Sequence, residues 1–288
     1  MLWKLPVREI TFPHRPLVMG IVNVNDDSFS GDGTLDCQAA LEQALRQAEE
    51  GADIIDVGAE SARTNRSAVS IEEEVRRFRG FLNGWPAAIR NAGPKDEAQV
   101  WPPILSANTW RPEVVETVLP LGVELLNDMG GLPDDRNARL CAASGASLLI
   151  MHSVGEPKIP HLHQQWPDVM AAMDTFFAEK IAMATAAGLP PESIILDPGI
   201  DFAKQRDDNL RIFRELGKLT RFGRPLMIPV SRKTMIGEVL GIPEPRERDA
   251  GTVACISASV RRGANILRVH DVRAAWQTTR ILDAIATV

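Results

Sequence analysis

The sequence predicts a (β/α)8 TIM barrel of the α/β class, built as a single domain with a short N-terminal extension. Eight short apolar segments alternate with segments of helical periodicity along the 288-residue chain. The apolar segments are continuous, which is typical of strands buried on both faces of a parallel sheet. We therefore predict a hairpin or plug in residues 1–16 and the barrel in residues 17–288. A doubly wound open sheet is the alternative, but no G-x-G-x-x-G follows the first strand.

The composition is that of a globular protein without a general nucleic-acid surface or a membrane span. Hydrophobic residues make up 44% and charged residues 24% of the chain, and the formal net charge is -6, which disfavours general nucleic-acid binding. There is no apolar run of about 18 residues, and the N-terminus lacks the apolar core of a signal peptide. Cys37, Cys141 and Cys255 are odd in number and far apart. These observations predict a cytoplasmic protein with buried, reduced thiols.

The predicted elements alternate from residue 17 onwards. Capping signals set some boundaries, since Gly51 ends the first helix and Ser70 with Glu73 forms a capping box at the second. The predicted strands are 17–22, 53–57, 103–107, 123–126, 147–151, 193–196, 226–229 and 265–269. The predicted helices are 35–50, 70–82, 111–119, 134–143, 168–187, 207–219, more than one helix across 233–261, and 271–286. A ragged helix end and a surface loop are predicted for 83–102.

A polar or ionisable residue follows every predicted strand. In a parallel barrel these strand ends share one face, where active sites are built. Several of them have apolar neighbours, so they should be partly buried, and a polar ligand could supply the partners that buried polar groups need. In strand order they are Asn23; Asp56; Ser106 and Asn108; Asn127 and Asp128; Met151 and His152; Asp197; Ser231, Arg232 and Lys233; and Arg268 and His270. A ligand pocket is favoured over a barrel end whose polar groups satisfy one another.

The residue types divide this face into two parts. Amides and carboxylates suit a flat heterocycle with ring N–H groups, an amine and a carbonyl, and they are carried by Asp56, Asn108, Asn127 and Asp197. Cationic groups suit an anion such as a diphosphate, and they are carried by Arg63, Lys233, Arg268 and His270. Two alternatives stay open. Arg268 could pair with Asp271, and Lys233 could be a solvated residue in the first turn of a helix, although a cation there opposes the helix dipole.

Metal and nucleophile signals are weak. His152, His161 and His163 lack the spacing of a zinc site and are interpreted as loop histidines. A Mg²⁺ ion carried in by a diphosphate needs only one or two protein oxygens, and Asn23 is the candidate. The acidic loop after Asn23 is either the mouth of the site or a solvated loop with Phe29 folded onto the core. No Ser-His-Asp or Cys-His arrangement is recognisable.

The chain resembles dihydropteroate synthase over residues 17–286. Each shared block is a weak signal by itself, whereas all of them in order on eight strands are specific. The blocks are MGIVNVNDDSFSGDG at 19–33, IIDVGAESAR at 54–63, Asn127-Asp128, Met151-His152, LDPGIDFAK at 196–204, SRKTMIG at 231–237 and RVHDV at 268–272. The family, a sulfonamide target that is commonly dimeric, joins 6-hydroxymethyl-7,8-dihydropterin diphosphate to 4-aminobenzoate in folate biosynthesis.

The resemblance implies a transferase with an SN1-like mechanism, in which diphosphate leaves before the arylamine attacks. Such a reaction depends on placed charges and exclusion of water. The implied pterin ligands are Asp56, Asn108, Asn127, Asp197, Lys233 and Arg268. The implied diphosphate ligands are Asn23, Arg63, Arg268 and His270, with Mg²⁺ at Asn23. Phe29, Arg63 and Ser231 are implied for aminobenzoate, with Asp27, Phe29 and Ser30 in a closing loop, and Lys233, Arg268 and Asp27 are the implied catalytic residues.

The sequence departs from the family pattern at several positions. Asn108 stands where the family usually has Asp, so one negative charge near the pterin is missing. The others are Ala62 for Thr, Thr64 for Pro, Asn25-Asp26 for Thr-Pro, the inverted pair Gly31-Asp32, and Asp201 for Gly. These changes keep two alternatives open beside dihydropteroate synthase: a homologue with another arylamine acceptor and a pterin-binding protein without turnover. A third alternative is a pterin-binding methyltransferase domain, which shares the barrel and the acidic pterin pocket. The methyltransferase would not need the SRK and RVHDV blocks.

Overall fold

The computed structural model describes residues 1–25, 33–61, 67–159, 161 and 163–287. Within these ranges the strands are β1 (Leu2–Lys4), β2 (Glu9–Thr11), β3 (Leu17–Asn23), β4 (Ile54–Gly58), β5 (Ile104–Asn108), β6 (Leu125–Asp128), β7 (Ser147–Met151), β8 (Ile194–Asp197), β9 (Met227–Ile228) and β10 (Ile266–Val269). The helices are α1 (Cys37–Glu50), α2 (Ile71–Ile89), α3 (Pro112–Val118), α4 (Arg136–Ser144), α5 (Val169–Ala186), α6 (Arg206–Glu215), α7 (Thr234–Leu240), α8 (Asp249–Val260) and α9 (Val272–Thr287).

Strands β3 to β10 form one parallel sheet in the order β8-β7-β6-β5-β4-β3-β10-β9. A parallel bridge between Leu196 and Leu226 joins its two ends, and the Leu196 N–H donates to the Pro225 carbonyl at 2.9 Å. The sheet is therefore a nearly closed barrel with helices between its strands. This confirms the predicted (β/α)8 fold.

Strands β1 and β2 pair in antiparallel register, with Leu2 opposite Thr11. The Trp3 side chain is fully buried and packs in one apolar cluster with interior residues of the barrel such as Met19. Its indole N–H donates to Ser147 Oγ at 2.8 Å. This hairpin covers the amino-terminal end of the barrel, so the opposite end is the one left to receive a ligand.

The barrel interior changes from apolar to polar along each strand. Residues two apart in a strand share a face. In β4, Ile54 therefore lies in the apolar cluster near the hairpin, and Asp56 lies one layer above it. Asp56 is in register with Ser106, and Asn108 with Asn127, so the pairing places four polar side chains in two adjacent rows.

Helix α2 is longer than predicted, because it continues to Ile89 through Pro86. The prediction that residues 83–102 begin with a ragged helix end is therefore wrong. A Cβ atom at Gly84 would lie 2.6 Å from Leu41 Cδ1, so glycine allows α2 to pack closely on α1. Trp85 is 4% exposed and stacks on Phe81 with ring centroids 5.9 Å apart. This packing outweighs the weak helix propensity of the segment.

The three cysteines are free thiols, of which Cys141 is buried while Cys37 and Cys255 are only partly buried. The prediction of a buried thiol therefore holds for Cys141 alone. Across the ranges that the structure describes, we find no helix with the length and apolar character needed to cross a membrane.

Candidate active site

A cavity of about 630 Å³ opens at the carboxyl ends of the barrel strands. Its wall contains most of the polar residues that the sequence placed at these strand ends, and they belong to β3, β5, β6, β8, β10 and the segment after β9. They are Asn23, Asn108, Asn127, Asp197, Ser231, Lys233, Arg268 and His270. The barrel therefore brings together side chains that lie up to 247 positions apart in the chain, from Asn23 to His270.

Asp56 lies behind this wall, although the sequence predicted it as a direct ligand of the heterocycle. It is fully buried, and its Oδ1 accepts from Ser106 Oγ at 2.5 Å. Its Oδ2 accepts from Arg268 Nε at 2.7 Å and from Asn127 Nδ2 at 3.1 Å. Asp56 therefore orients wall residues from three neighbouring parts of the barrel, and its charge is paired with Arg268.

The orientation of Asn108 follows from the same carboxylate. Its Nδ2 lies 3.4 Å from Asp56 Oδ2, and an amide that faces a carboxylate oxygen must present its N–H group. Asn108 Oδ1 then points elsewhere. It is buried and has no hydrogen-bond partner among the described residues. At this position the cavity thus offers a hydrogen-bond acceptor, as an aspartate would, but without the negative charge.

Asp197, unlike Asp56, lines the cavity directly. Its Oδ1 accepts from the Gly199 N–H at 2.7 Å, and burial raises its pKa to about 6 against the opposing influence of this hydrogen bond and of the nearby Lys233, Lys204 and Arg268. A buried carboxylate of this kind is stabilised in its ionised form when a ligand donates N–H groups to it.

Lys204 lines the cavity and was not singled out from the sequence. It is 8% exposed, and its ammonium donates to the carbonyls of His152 at 3.2 Å and Phe202 at 2.9 Å. It therefore ties the end of β7 to the loop between β8 and α6. Burial lowers its pKa to about 7, with the Asp197 carboxylate acting in the opposite direction. The only sequence signal is a single lysine after the apolar residues of the LDPGIDFAK block.

Lys233 lies immediately before α7 and reaches back to the loop after β8. Its ammonium donates to the Ile200 carbonyl at 3.1 Å and lies 5.2 Å from the centre of the Phe202 ring. Burial lowers its pKa, while the carboxylates of Asp201 and Asp197 counteract that effect. The alternative of a solvated lysine is therefore wrong. The alternative pairing of Arg268 with Asp271 is also wrong, because Arg268 pairs with Asp56.

The segment that carries Lys233 is held by Arg248 and by Asp249 at the start of α8. Arg248, which is 6% exposed, donates to the carbonyls of Arg232 at 3.0 Å and Lys233 at 3.2 Å. Arg232 has a left-handed backbone with φ of 57° and pairs with Asp249 through contacts of 2.8 and 3.0 Å. Arg232 thus stabilises the loop, whereas its position after a strand had suggested a place in the pocket.

Two other residues of the predicted strand-end set also point away from the cavity. Asp128 alternates with Asn127 along β6, and it accepts from the Gly130 N–H and from Asn137 Nδ2 at 2.8 and 2.9 Å. His152 is 1% exposed and packs against the rings of Trp166, Phe176 and Phe177. Burial lowers the pKa of His152 to about 2, and the positive charge of Lys204 acts in the same direction. The histidine is therefore neutral and forms part of the packed core.

Asn23, Ser231 and His270 add an amide, a hydroxyl and an imidazole to the cavity wall. Ser231 Oγ lies 2.9 Å from His270 Nδ1 and accepts from the His270 backbone N–H at 3.2 Å. Asn23 ends β3, and a Cβ atom at Gly58 would lie 3.6 Å from Asn23 Oδ1. In the described ranges no group of three or more His, Cys, Asp or Glu side chains could hold a metal ion. The amide oxygen of Asn23 is a ligand of the type that Mg²⁺ accepts.

Residues 26–32 and 62–66 lie outside the described residues, and with them the predicted residues Asp27, Phe29, Ser30 and Arg63. Among the residues that flank the first of these ranges, the Thr34 N–H donates to the Asn23 carbonyl at 3.0 Å. Among those that flank the second, Glu60 accepts from the Val69 N–H at 3.1 Å. Asn23, Glu60 and Ser61 line the cavity.

An ion network centred on the buried carboxylates of Glu60 and Glu74 was not predicted from the sequence. Glu60 pairs with Arg111 at 2.7 Å and with Lys158 at 3.3 Å, and Arg111 also pairs with Glu74 at 2.8 Å. Lys158 further donates to the Ser61 carbonyl at 3.0 Å. The network joins the loops after β4, β5 and β7, and so it fixes one side of the rim.

Residues 19–270 match the family model described as pterin binding enzyme. The parallel barrel and its pocket of buried amides, carboxylates and cations fit an enzyme of this class. The chain is 36% identical to the dihydropteroate synthase of Synechocystis sp., over 98% of this chain and 94% of that protein. The chain belongs to the dihydropteroate synthase family.

Solved structures agree with this assignment. The dihydropteroate synthase of Yersinia pestis in complex with a sulfonamide drug superimposes with a TM-score of 0.88 at 31% identity, covering 100% of this chain and 99% of that one. The enzyme of Xanthomonas albilineans in complex with 7,8-dihydropteroate gives a TM-score of 0.83 at 32% identity, covering 100% of both chains.

Proposed function

We propose that this protein joins 6-hydroxymethyl-7,8-dihydropterin diphosphate to 4-aminobenzoate, releasing diphosphate and forming 7,8-dihydropteroate. The observation that carries the proposal is the cavity wall, in which one part offers hydrogen-bond acceptors and the other cations. These two parts match the two halves of the pterin diphosphate. Membership of the dihydropteroate synthase family supports the same reaction.

The pterin ring would bind against the buried polar layer. Asp197 accepts N–H groups of the ring, Asn108 and Asn127 supply further acceptors or donors, and Lys233 donates to the ring carbonyl. Asp56 acts from behind the wall, where it orients both amides and Arg268. Arg268 covers the face of the ring. Developing positive charge on the pterin methylene carbon would be stabilised by the carboxylates at this end of the cavity.

The diphosphate would bind on the side of Asn23, Arg268 and His270, with Arg63 from the undescribed segment. Arg268 and His270 supply positive charge or N–H donors to the leaving oxygens. The chemistry of Asn23 suits a diphosphate-bound Mg²⁺, which would neutralise charge on the leaving group when bound. Asn23 provides an amide oxygen for it, and His270 is oriented for the anion by Ser231.

The arylamine would enter last, between Ser231 and the segments at 26–32 and 62–66. Phe29, Arg63 and Asp27 belong to these segments and are proposed to contact or enclose it. The amine itself is the nucleophile, so the protein needs to place the two substrates and exclude water rather than form a covalent bond. We further propose a cytoplasmic location and a homodimer, for which the exposed apolar residues Val239 and Leu240 of α7 are candidate interface residues.

The coupling reaction tests this function directly. Purified protein with the pterin diphosphate, 4-aminobenzoate and Mg²⁺ should release diphosphate and dihydropteroate in equal amounts. Chromatography measures both products. A small panel of other arylamines should react more slowly. Faster reaction of another arylamine would assign a different acceptor. Tight pterin binding in calorimetry without any product would instead support a binding protein, and Asn108→Asp would then show whether the missing charge is the reason.

The ionisation of Asp197 predicts how pterin binding depends on pH. Its pKa is raised to about 6 by burial, and only the ionised form accepts two N–H groups. Binding should therefore weaken as the pH falls through about 6, by about tenfold per unit below it. The measurement is the Kd of 6-hydroxymethylpterin, determined by calorimetry from pH 5 to 8. This ligand is used because it has no diphosphate that would itself titrate. A Kd that stays constant over this range would contradict the role of Asp197.

A further inference from the structure

The start of α7 is tied to the loop after β8 by two adjacent hydrogen bonds that run in the same direction. Lys233 Nζ donates to the Ile200 carbonyl at 3.1 Å. Next to it, the Thr234 N–H donates to Asp201 Oδ2 at 2.5 Å. Ile200 and Asp201, which are neighbours in the loop after β8, therefore accept hydrogen bonds from Lys233 and Thr234, which are neighbours at the start of α7.

Asp201 supplies the cap that α7 lacks in its own sequence. Lys233 is the N-cap residue, and its side chain makes no capping hydrogen bond. The first N–H groups of a helix need external acceptors, and Asp201 provides one from a different element. A carboxylate in this place also interacts favourably with the positive end of the helix dipole.

The carboxylate is itself held in place from α6. Asp201 Oδ1 accepts from Asn209 Nδ2 at 3.0 Å, and the Asp201 N–H donates to Asn209 Oδ1 at 3.0 Å. Asn209 is 1% exposed, so this anchor is rigidly packed. The Asp201 backbone has a left-handed φ of 68°, a conformation that glycine adopts freely and aspartate tolerates better than most residues.

We propose that Asp201 is a positioning residue that holds the Lys233 ammonium at the pterin end of the cavity. It does so by capping α7 directly after Lys233 and by placing a negative charge one residue after the Ile200 carbonyl that the ammonium contacts. Asp201 also lines the cavity, but its carboxylate oxygens are engaged by Asn209 and Thr234. It therefore acts through Lys233 rather than by contact with the reacting atoms. This inference rests on the proposed function, because it assigns Lys233 to the pterin.

Two substitutions separate the parts of this role. Asp201→Gly removes the cap and the charge while suiting the left-handed backbone, so the fold should be retained. Asp201→Asn keeps an oxygen for the Thr234 N–H but removes the charge. Asp207→Asn is the matched control, because it removes the same charge from a side chain of α6 that is 81% exposed and pairs only with its neighbour Arg206 among the described contacts.

The measurements are the KM for each substrate, kcat, the thermal midpoint and the Kd of 6-hydroxymethylpterin. For Asp201→Gly, we expect KM for the pterin diphosphate and the Kd of the pterin to rise about tenfold, because a misplaced recognition group is costly. KM for 4-aminobenzoate should stay unchanged. Asp201→Asn should show a smaller rise, and Asp207→Asn none. A purely structural role would instead lower the thermal midpoint and kcat without changing pterin affinity.

Pterin binding by both Asp201 variants equal to that of the wild type would overturn the proposal, as would an equal loss of affinity for both substrates. The binding measurement keeps this test separate from the proposed function. If the wild-type protein binds pterin but forms no product, the proposed reaction fails. The comparison of pterin affinities then still decides the role of Asp201.

Discussion

Replacing Lys233 by alanine is expected to lower kcat/KM for the pterin diphosphate by about 10²–10³-fold, the loss typical of removing one placed electrostatic donor. The ammonium is partly buried in the cavity wall, and its position is fixed by the Ile200 carbonyl, by the Phe202 ring and by the loop that Arg248 holds. Water that replaced it would be neutral and free to reorient. Steady-state kinetics over a range of pterin diphosphate concentrations measures the effect.

Lys218→Ala is the matched control for Lys233. Its side chain is 66% exposed and pairs with Glu215 on the outer surface, so its loss should leave kcat/KM unchanged. Lys233→Arg keeps the charge on a bulkier planar group and should recover only part of the activity. If Lys233→Ala retained the wild-type rate while the control behaved as expected, the assignment of Lys233 to the reaction would be wrong.

The fold and much of the cavity wall were predictable because parallel strands obey simple geometric rules. Strands buried on both faces appear as continuous apolar runs, and their carboxyl ends meet on one face. These rules placed Asn23, Asn108, Asn127, Asp197 and Arg268 together from positions scattered through the sequence, and the structure has all five in one wall. The family resemblance added the roles of these residues, which residue type alone left open.

The sequence predictions failed where adjacent polar residues point in different directions, so that a shift of one position changes which side chain faces the cavity. Asn127 and Asp128 are adjacent and both polar, yet alternation along β6 turns one towards the cavity and the other towards Asn137. Past the end of a strand this alternation no longer holds. Arg232 and Lys233 therefore diverge because Arg232 has a positive φ and pairs with Asp249, a property of the folded loop that carries no sequence signal.

Contacts between loops were the least predictable part of the site. Lys204 reaches carbonyls on two loops, and Asp201 caps a helix 33 positions later in the chain. Each such contact depends on which loops become neighbours once the barrel has closed. Sequence patterns report local periodicity and capping, so they show where loops begin but not which loops the barrel brings together.

Replacing Arg268 by alanine should have two separable consequences. Turnover should fall by at least about 10²-fold, because the residue lies where the pterin face and the leaving diphosphate meet. Stability should also fall, because Asp56 is fully buried and loses its ion-pair partner at 2.7 Å. Breaking a buried pair on one side typically costs about 3–5 kcal/mol. The Ser106, Asn108 and Asn127 donors remain, so we expect a loss of about 2–3 kcal/mol in the free energy of unfolding.

The double variant Asp56→Asn/Arg268→Met distinguishes these consequences. It removes the uncompensated charge and retains the apolar packing of the arginine stem, so urea denaturation should show stability recovered towards the wild-type value. Kinetics of the same protein should show no recovery of turnover. A double variant as unstable as Arg268→Ala would mean that the ion pair is not what Arg268 contributes to the fold. A double variant that regained turnover would show that Arg268 acts in the reaction only by neutralising Asp56, and its assigned contact with the pterin and diphosphate would then be wrong.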